Sequence, residues 1–352
     1  RDLHSFPTRR SSDLDSCYDY LETGSLMSIR KNVKDILIPS EERHLQMFPL
    51  DFEEFLWALE NEQFMPLVAR CFAKKTPMGQ ALHRKGMDYY RQYMIIGGMP
   101  QAVNAYVESR DFTKVDQVKR DILALYRADI AKHAAGCEMK VTQIFDDIPA
   151  QLSRHERRFR FSALRKGAAA RNYEDALFWL TDAMIVNACY NTTAPDIGLK
   201  LNMDRLTLKC YMADTGLLIS HSFDENSLVS EEIYKKILFD KLEVNMGMIV
   251  ENMTAQMLRA AGHKLYFYSN PSKTDKDERM EIDFLIAKSK ITNAHNISPI
   301  EVKSSKNYTL TSLKKFIKRF PSELHTPYVL HPADLKEENG IIYLPLYMTP
   351  FL

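Results

Sequence analysis

Paired cysteines are missing from this chain. Its five cysteines, Cys17, Cys71, Cys137, Cys189 and Cys210, are scattered, with no C-x-x-C spacing. That pattern argues against a disulfide framework or a zinc cluster and suits a reducing, cytoplasmic compartment. Excess charge is missing too. A net charge of +1 gives no global attraction to nucleic acid or to a membrane, so any basic site must be local. No uninterrupted apolar run approaches the roughly 20 residues that span a bilayer, so no membrane partner is expected. What remains is ordinary: 352 residues, 45% hydrophobic and 26% charged, the profile of a globular chain long enough for two or three domains.

The first fourteen residues, RDLHSFPTRRSSDL, have no periodicity and no apolar signal core. The string resembles a translated sequencing adaptor, and position 1 is not Met. The expectation is an artefact tail on the product of a 5′-truncated gene.

Two segments follow. Tyr18 to Ser28 reads YDYLETGSLMS. Pro49 to Trp57 reads PLDFEEFLW and starts an amphipathic helix, with Asp51 as a cap and Glu54 three residues on. Further along come Ile96-Gly97-Gly98-Met99-Pro100 and Tyr211-Met212-Ala213-Asp214-Thr215-Gly216-Leu217-Leu218. In this order the motifs resemble a prokaryotic family of AAA-type ATPases, ATP-binding proteins with a C-terminal domain of unknown function. The resemblance covers nearly everything from residue 15 onward. It implies that residues 15–60 are the C-terminal remnant of a P-loop AAA domain, with Ser25 in its sensor region. The alternative is a loop before an ordinary helix. The chain departs from the family at one point: no stretch reads G-x-x-x-x-G-K-[ST], and no acidic Walker B strand is present. Backbone N–H groups and the lysine of that loop cradle the phosphates.

Residues 61–134 are helical in pattern. Phe112 to His133 carries Val115, Val118, Ile122, Leu125 and Tyr126 near one stripe, and Val141, Ile144, Phe145, Ile148 and Leu152 make another. Pro149 is expected to bend or interrupt the second. His133, Cys137 and Glu138 are close together, but their spacing fits no standard metal site and reads as a solvated turn. Between 154 and 171, Arg157, Arg158, Arg160, Arg165, Lys166 and Arg171 form the core of a basic stretch. A helix with Tyr173, Ala176, Leu177, Leu180 and Met184 on one face follows, then strand-like runs Ile185 to Tyr190 and Leu206 to Met212. Helix, basic turn, helix and hairpin is a winged-helix order over residues 135–222, and such a unit can place cations on DNA phosphates. The alternative is a solvated charged face or a surface for the missing ATPase domain. Asp214 is placed to cap the helix that starts at Thr215. Residues 223–240 read as a linker.

Residues 241–352 end the chain. A helix from Lys241 to Ala261 carries Glu251 on a mostly apolar stripe, and Gly262 suits its left-handed cap. Strands are expected at Leu265 to Tyr268, Glu281 to Ile286, Ile300 to Lys303, Tyr328 to Leu330 and Ile341 to Tyr343, with a helix from Leu310 to Phe320. On the strand that ends Pro299-Ile300-Glu301-Val302-Lys303, Glu301 and Lys303 share a face. A hairpin with the 281–286 run brings Asp283 near Glu301, and two carboxylates so placed suit a hard divalent cation with a water beside it. Helix, strands, E-I-D-F and E-x-K in this order resemble the PD-(D/E)xK nuclease superfamily. The resemblance implies a restriction-endonuclease-like α/β domain in which Asp283 and Glu301 ligate Mg2+. Lys303 would orient the attacking water and Glu251 would support the metal shell, making all four catalytic. The long interval from Asp283 to Glu301 departs from the pattern and implies an enlarged loop around Lys288 to Ser298.

The expected whole is an α/β multidomain chain: an AAA remnant, a helical and winged-helix middle, and a nuclease-like end acting on nucleic acid. The alternative function is a non-catalytic module that uses the same folds to dock DNA or protein. With no phosphate cradle, the chain as given is expected not to hold ATP, although the full-length family does. Calorimetry with Mg-ATP should register no binding at micromolar concentrations; a micromolar affinity would contradict this reading.

Overall fold

The Asp51 carboxylate accepts from the Glu54 N–H, and the Glu54 carboxylate accepts from the Asp51 N–H. This reciprocal cap starts α1 (Phe52–Ala58), as the residue spacing predicts. The geometry is that of a computed structural model, which describes residues 45–154, 157–165, 167–223, 231–239, 241, 246–272, 275, 278–287 and 296–352. The 1–14 tail, Ser25, Lys166 and most of the 288–298 loop lie outside the described residues, as does much of the 223–240 linker. Phe48–Leu352 form one compact unit.

After α1 come α2 (Phe64–Lys74), α3 (Gln80–Ile96), α4 (Pro100–Ser109) and α5 (Phe112–His133). The Gly97-Gly98-Met99-Pro100 motif is the joint between α3 and α4. Pro100 sits at the first helical position of α4, where a missing N–H leaves no bond unmade. On α5 the buried face is rotated from the expected stripe: Leu125 is exposed, whereas Asp116 and Lys119 are buried. The polar pair is accommodated because both find partners. Lys119 Nζ donates to Ile95 O at 2.7 Å, and Asp116 Oδ1 accepts from Ser220 Oγ at 2.6 Å and from Tyr234 Oη at 2.7 Å.

Helix α6 (Glu138–Leu152) runs on through Pro149, contrary to the expected interruption. A proline cannot donate to the carbonyl four residues back. Here that carbonyl is Phe145 O, and His221 Nε2 lies 3.0 Å from it, so the imidazole N–H replaces the lost donor.

Next are α7 (Phe161–Leu164), α8 (Glu174–Asp182), β1 (Val186–Thr192), β2 (Met203–Met212) and α9 (Thr215–Ser222). The chain ends with α10 (Glu231–Leu238), α11 (Met246–Ala260), β3 (Tyr266–Asn270), β4 (Met280–Ala287), β5 (Ile297–Val302), α12 (Thr311–Arg319), β6 (Tyr328–His331), β7 (Lys336–Glu338), β8 (Ile341–Pro345) and a 3-10 turn, Leu346–Phe351. The left-handed Gly262 follows α11, with φ of 91°. The all-charged β7 was not expected from its composition; it forms only as an edge partner of β8.

These strands make one mixed sheet of eight, in the order β2-β1-β3-β4-β5-β6-β8-β7. The β1–β2 hairpin, expected as the wing of a separate winged-helix domain, is part of it. β1 pairs parallel to β3 through Tyr190 with Tyr266 and Asn191 with Phe267. The line drawn between 135–222 and 241–352 therefore does not separate two sheets. Leu313 and Phe316 of α12 pack on one face, against Tyr266, Tyr268, Ile282, Leu285 and Val329. Phe267 lies between two of those residues and points to the other face, where α11 packs. The 3-10 turn closes back on the first helices: Tyr347 meets Phe64 and His83, and Phe351 stacks on Phe72.

Buried α9 touches α3, α5, α6, α11 and β2. Its cap, Asp214, accepts from Leu217 N–H at 2.8 Å, as expected, and also from Gly98 N–H at 2.6 Å. The glycine joint is thus tied to the D-T-G turn. Gly216 has no room for a side chain: a Cβ there would lie 2.5 Å from Ile96 O. Gly216→Ala should therefore cost about 3 kcal/mol, the upper end of the usual overpacking penalty, because a backbone carbonyl cannot step aside. Urea denaturation of the two chains would measure it.

Candidate functional site

The site is assembled where β2, β4 and β5 meet α11. β4 and β5 are antiparallel, with Phe284 paired to Ile300. Asp283 and Glu301 lie next to that pair, one residue beyond the end of the ladder. The Asp283 Oδ2 accepts the Val302 N–H at 2.8 Å, between Glu301 and Lys303. Lys303 Nζ donates to Glu301 Oε1 at 2.7 Å. The other Glu301 oxygen, Oε2, is buried and has no hydrogen-bond partner. Burial and the neighbouring Asp283 carboxylate push the Glu301 carboxyl up to about 7, and Lys303 opposes them.

Glu251 comes from α11 and is buried. Its expected polar partners exist. Lys209 Nζ lies 3.1 Å from Glu251 Oε1, the Tyr211 hydroxyl donates to the same oxygen, and Arg157 is ion-paired to Oε2. Lys209 also reaches Glu281 Oε1 at 2.9 Å and Asp283 Oδ1 at 3.7 Å. Its Nζ lies over the Phe267 ring, 5.0 Å from the centroid. Burial works to lower the Lys209 ammonium, but Glu281 and Asp283 outweigh it and hold it above the usual lysine range.

The structure thus brings Asp283, Glu301 and Lys303 together around Val302. Glu251 joins them through Lys209, which it shares with Asp283. The motif order includes Tyr211 but gives it no role, and nothing in it marks Lys209. The available signal was a lysine flanked by Leu208 and Cys210 inside an apolar strand, two residues before Tyr211 and so on the same face. Among the described residues no three acids, histidines or cysteines form a group able to hold a metal ion by themselves. Oε2 of Glu301 stays without a hydrogen-bond partner near the Asp283 carboxylate.

The basic stretch divides. Arg157, expected on nucleic acid, turns inward to Glu251, carried there by the Phe159 N–H that bonds Leu208 O on the open edge of β2 at 2.8 Å. Gly247 makes room for it, since a Cβ there would lie 2.6 Å from the Arg157 guanidinium. Arg158 is partly buried, while Arg160, Arg165 and Arg171 are exposed. In the 133–138 turn, Glu138 accepts from the Gly136 N–H and Cys137 is buried.

Two family models match the chain. Residues 87–227 match a domain of unknown function (DUF8612). Residues 246–348 match a domain of unknown function (DUF4143), a domain associated with AAA ATPase proteins. No curated protein and no solved structure matches. No helix among the described residues is long and apolar enough to cross a membrane. The boundary between the two matched regions runs through the ion cluster. Arg157, Lys209 and Tyr211 belong to the first region, and Glu251, Glu281, Asp283, Glu301 and Lys303 to the second.

A carboxyl whose folded pKa is raised favours the folded state at low pH. Its contribution is complete below about 4.3, the unfolded value, and is lost as pH rises through the folded value. For Glu301 that window ends at about 7. In EDTA, Glu301→Gln should therefore gain stability relative to the parent chain between pH 5 and pH 8. Chemical denaturation at the two pH values would give the difference; a constant offset would contradict the assignment.

Proposed function

We propose that this chain is the C-terminal part of an AAA-type ATPase, and that residues 241–352 are a nuclease-like unit which cleaves nucleic acid with the help of Mg2+. The observation that carries the reading is the arrangement of Asp283 and Glu301 on neighbouring strands, with one Glu301 oxygen buried and unpartnered beside Lys303. Asp283 and Glu301 would hold the metal, which when bound activates a water and polarises a phosphodiester. Lys303 lies next to the carboxylates to orient that water. Glu251 acts at the edge, through Lys209 and Arg157. The ATPase assignment rests on the order of the T-G-S, P-L-D-F-E-E-F-L, G-G-M-P and D-T-G motifs, with the DUF4143 match behind them. Residues 15–60 then correspond to the end of the nucleotide domain.

One observation favours a second reading, a docking module without chemistry. The acids Glu251, Glu281 and Asp283 are already met by Lys209. Helix α8 also bears on the choice of partner surface. It carries Glu174, Asp175 and Asp182 and no basic residue, so it is a poor reader of a DNA groove. Contact with phosphates would fall to Arg160, Arg165 and Arg171 instead.

Incubation of the purified chain with labelled DNA and RNA should give Mg2+-dependent cleavage that Asp283→Ala and Lys303→Ala abolish. Replacing Arg160, Arg165 and Arg171 by Ala should flatten the salt dependence of binding. Salt-dependent binding with no cleavage by the parent chain would favour docking.

A further inference from the structure

Residues 303–322 hold six cations and no acid: Lys303, Lys306, Lys314, Lys315, Lys318 and Arg319. The whole chain has a net charge of only +1, so the stretch is a local concentration of one sign. Solvated surfaces ordinarily intersperse both signs. The stretch starts beside the candidate site, at Lys303, and runs on to α12, which covers the other face of the sheet.

Folding fixes which way these charges face. Leu313 and Phe316 of α12 are buried against the sheet. Lys314 and Lys318, one turn apart, are thereby turned to solvent, and both are exposed. Arg319 is met by Glu278 at 3.3 Å, and Glu338 of β7 by Lys336 at 2.8 Å. Among the described residues no acid forms an ion pair with Lys306, Lys314 or Lys318. Like charges four residues apart repel, and α12 has two such pairs, Lys314 with Lys318 and Lys315 with Arg319. The helix dipole favours Lys318 and Arg319 in the last turn but gives nothing to Lys314 or to Lys306.

The neutral side chains around these cations narrow the choice of partner. Ser305, Asn307, Thr309 and Thr311 are exposed on the way from Lys303 to α12. Hydroxyl and amide groups join lysines on phosphate oxygens. No large apolar or aromatic side chain of the stretch is exposed. A protein partner or a lipid surface would need such anchors, and a single strand would need rings to stack on. Resting on nucleic acid as the partner proposed above, but not on cleavage, we propose that the solvent face of α12 is a docking surface for duplex DNA. Lys314 and Lys318 meet backbone phosphates there, with no reading of sequence.

Fluorescence anisotropy in EDTA, with a short labelled DNA duplex, reads binding apart from any cleavage. Lys314→Gln with Lys318→Gln should weaken binding at least about tenfold and lower the salt slope by roughly two, at about 0.9 per phosphate contact. Lys114→Gln with Lys132→Gln takes the same charge from exposed positions on α5 and should leave the slope as it is. Equal losses in the two pairs, or no loss in the first, would overturn α12 as the surface. Loss of polyglutamate binding with duplex binding intact would assign the face to an acidic protein and overturn it too. Mg2+-dependent cleavage, measured separately, tells the two readings apart. Cleavage with unchanged binding by the α12 pair strikes α12 alone, and a parent chain that binds no duplex at low salt removes both.

Discussion

Glu251 is the constraint on which the arrangement depends. A carboxylate at 1% exposure inside a helix costs several kcal/mol unless it is paired and hydrogen-bonded. Its partners come from three places: a strand supplies Lys209 and Tyr211, and an irregular segment laid along that strand supplies Arg157. Meeting this one requirement sets the height of α11 over the sheet and brings the β1–β2 hairpin alongside β3. It also fixes the course of residues 157–160. Apolar packing on the α12 face could tolerate small slips, but the ion cluster could not, because a displaced partner leaves a buried charge.

The same cluster explains why the two matched regions share one sheet. A winged-helix hairpin normally ends in solvent. Here β1 adds to β3, and the exposed edge of the sheet becomes β2. Acids from one region and bases from the other neutralise one another across that seam. Neither set is at rest alone, which makes the two regions poor candidates for independent folding units.

Much of this was legible in the residues and some was not. Local rules gave the Asp51 and Asp214 caps, the left-handed Gly262 and the extent of α5, because those depend on neighbours in sequence. The strands of the 246–348 region were legible from apolar runs bounded by polar loops. Asp283 with Glu301 and Lys303 followed from strand period and an antiparallel hairpin. The misreadings share a cause. Pro149 stays helical because His221, far away in sequence, supplies the missing donor. The α5 stripe rotates because Asp116 and Lys119 find partners on α9, α10 and α3. Lys209 was passed over because a lysine in a strand acquires meaning only when acids from other elements surround it. Long-range polar partners override local periodicity, and no single stretch of sequence contains both halves of such a pair.

The 3-10 turn at 346–351 has its own consequence for how the chain reaches this state. Tyr347 and Phe351 cover Phe64, Phe72 and His83, residues separated from them by more than two hundred positions. During synthesis the helices near residues 64–96 emerge long before their cover exists. They must wait with aromatic surface in water until the 346–351 turn emerges, so the order of translation cannot be the order of consolidation. Such a chain invites chaperone attention while it is being made.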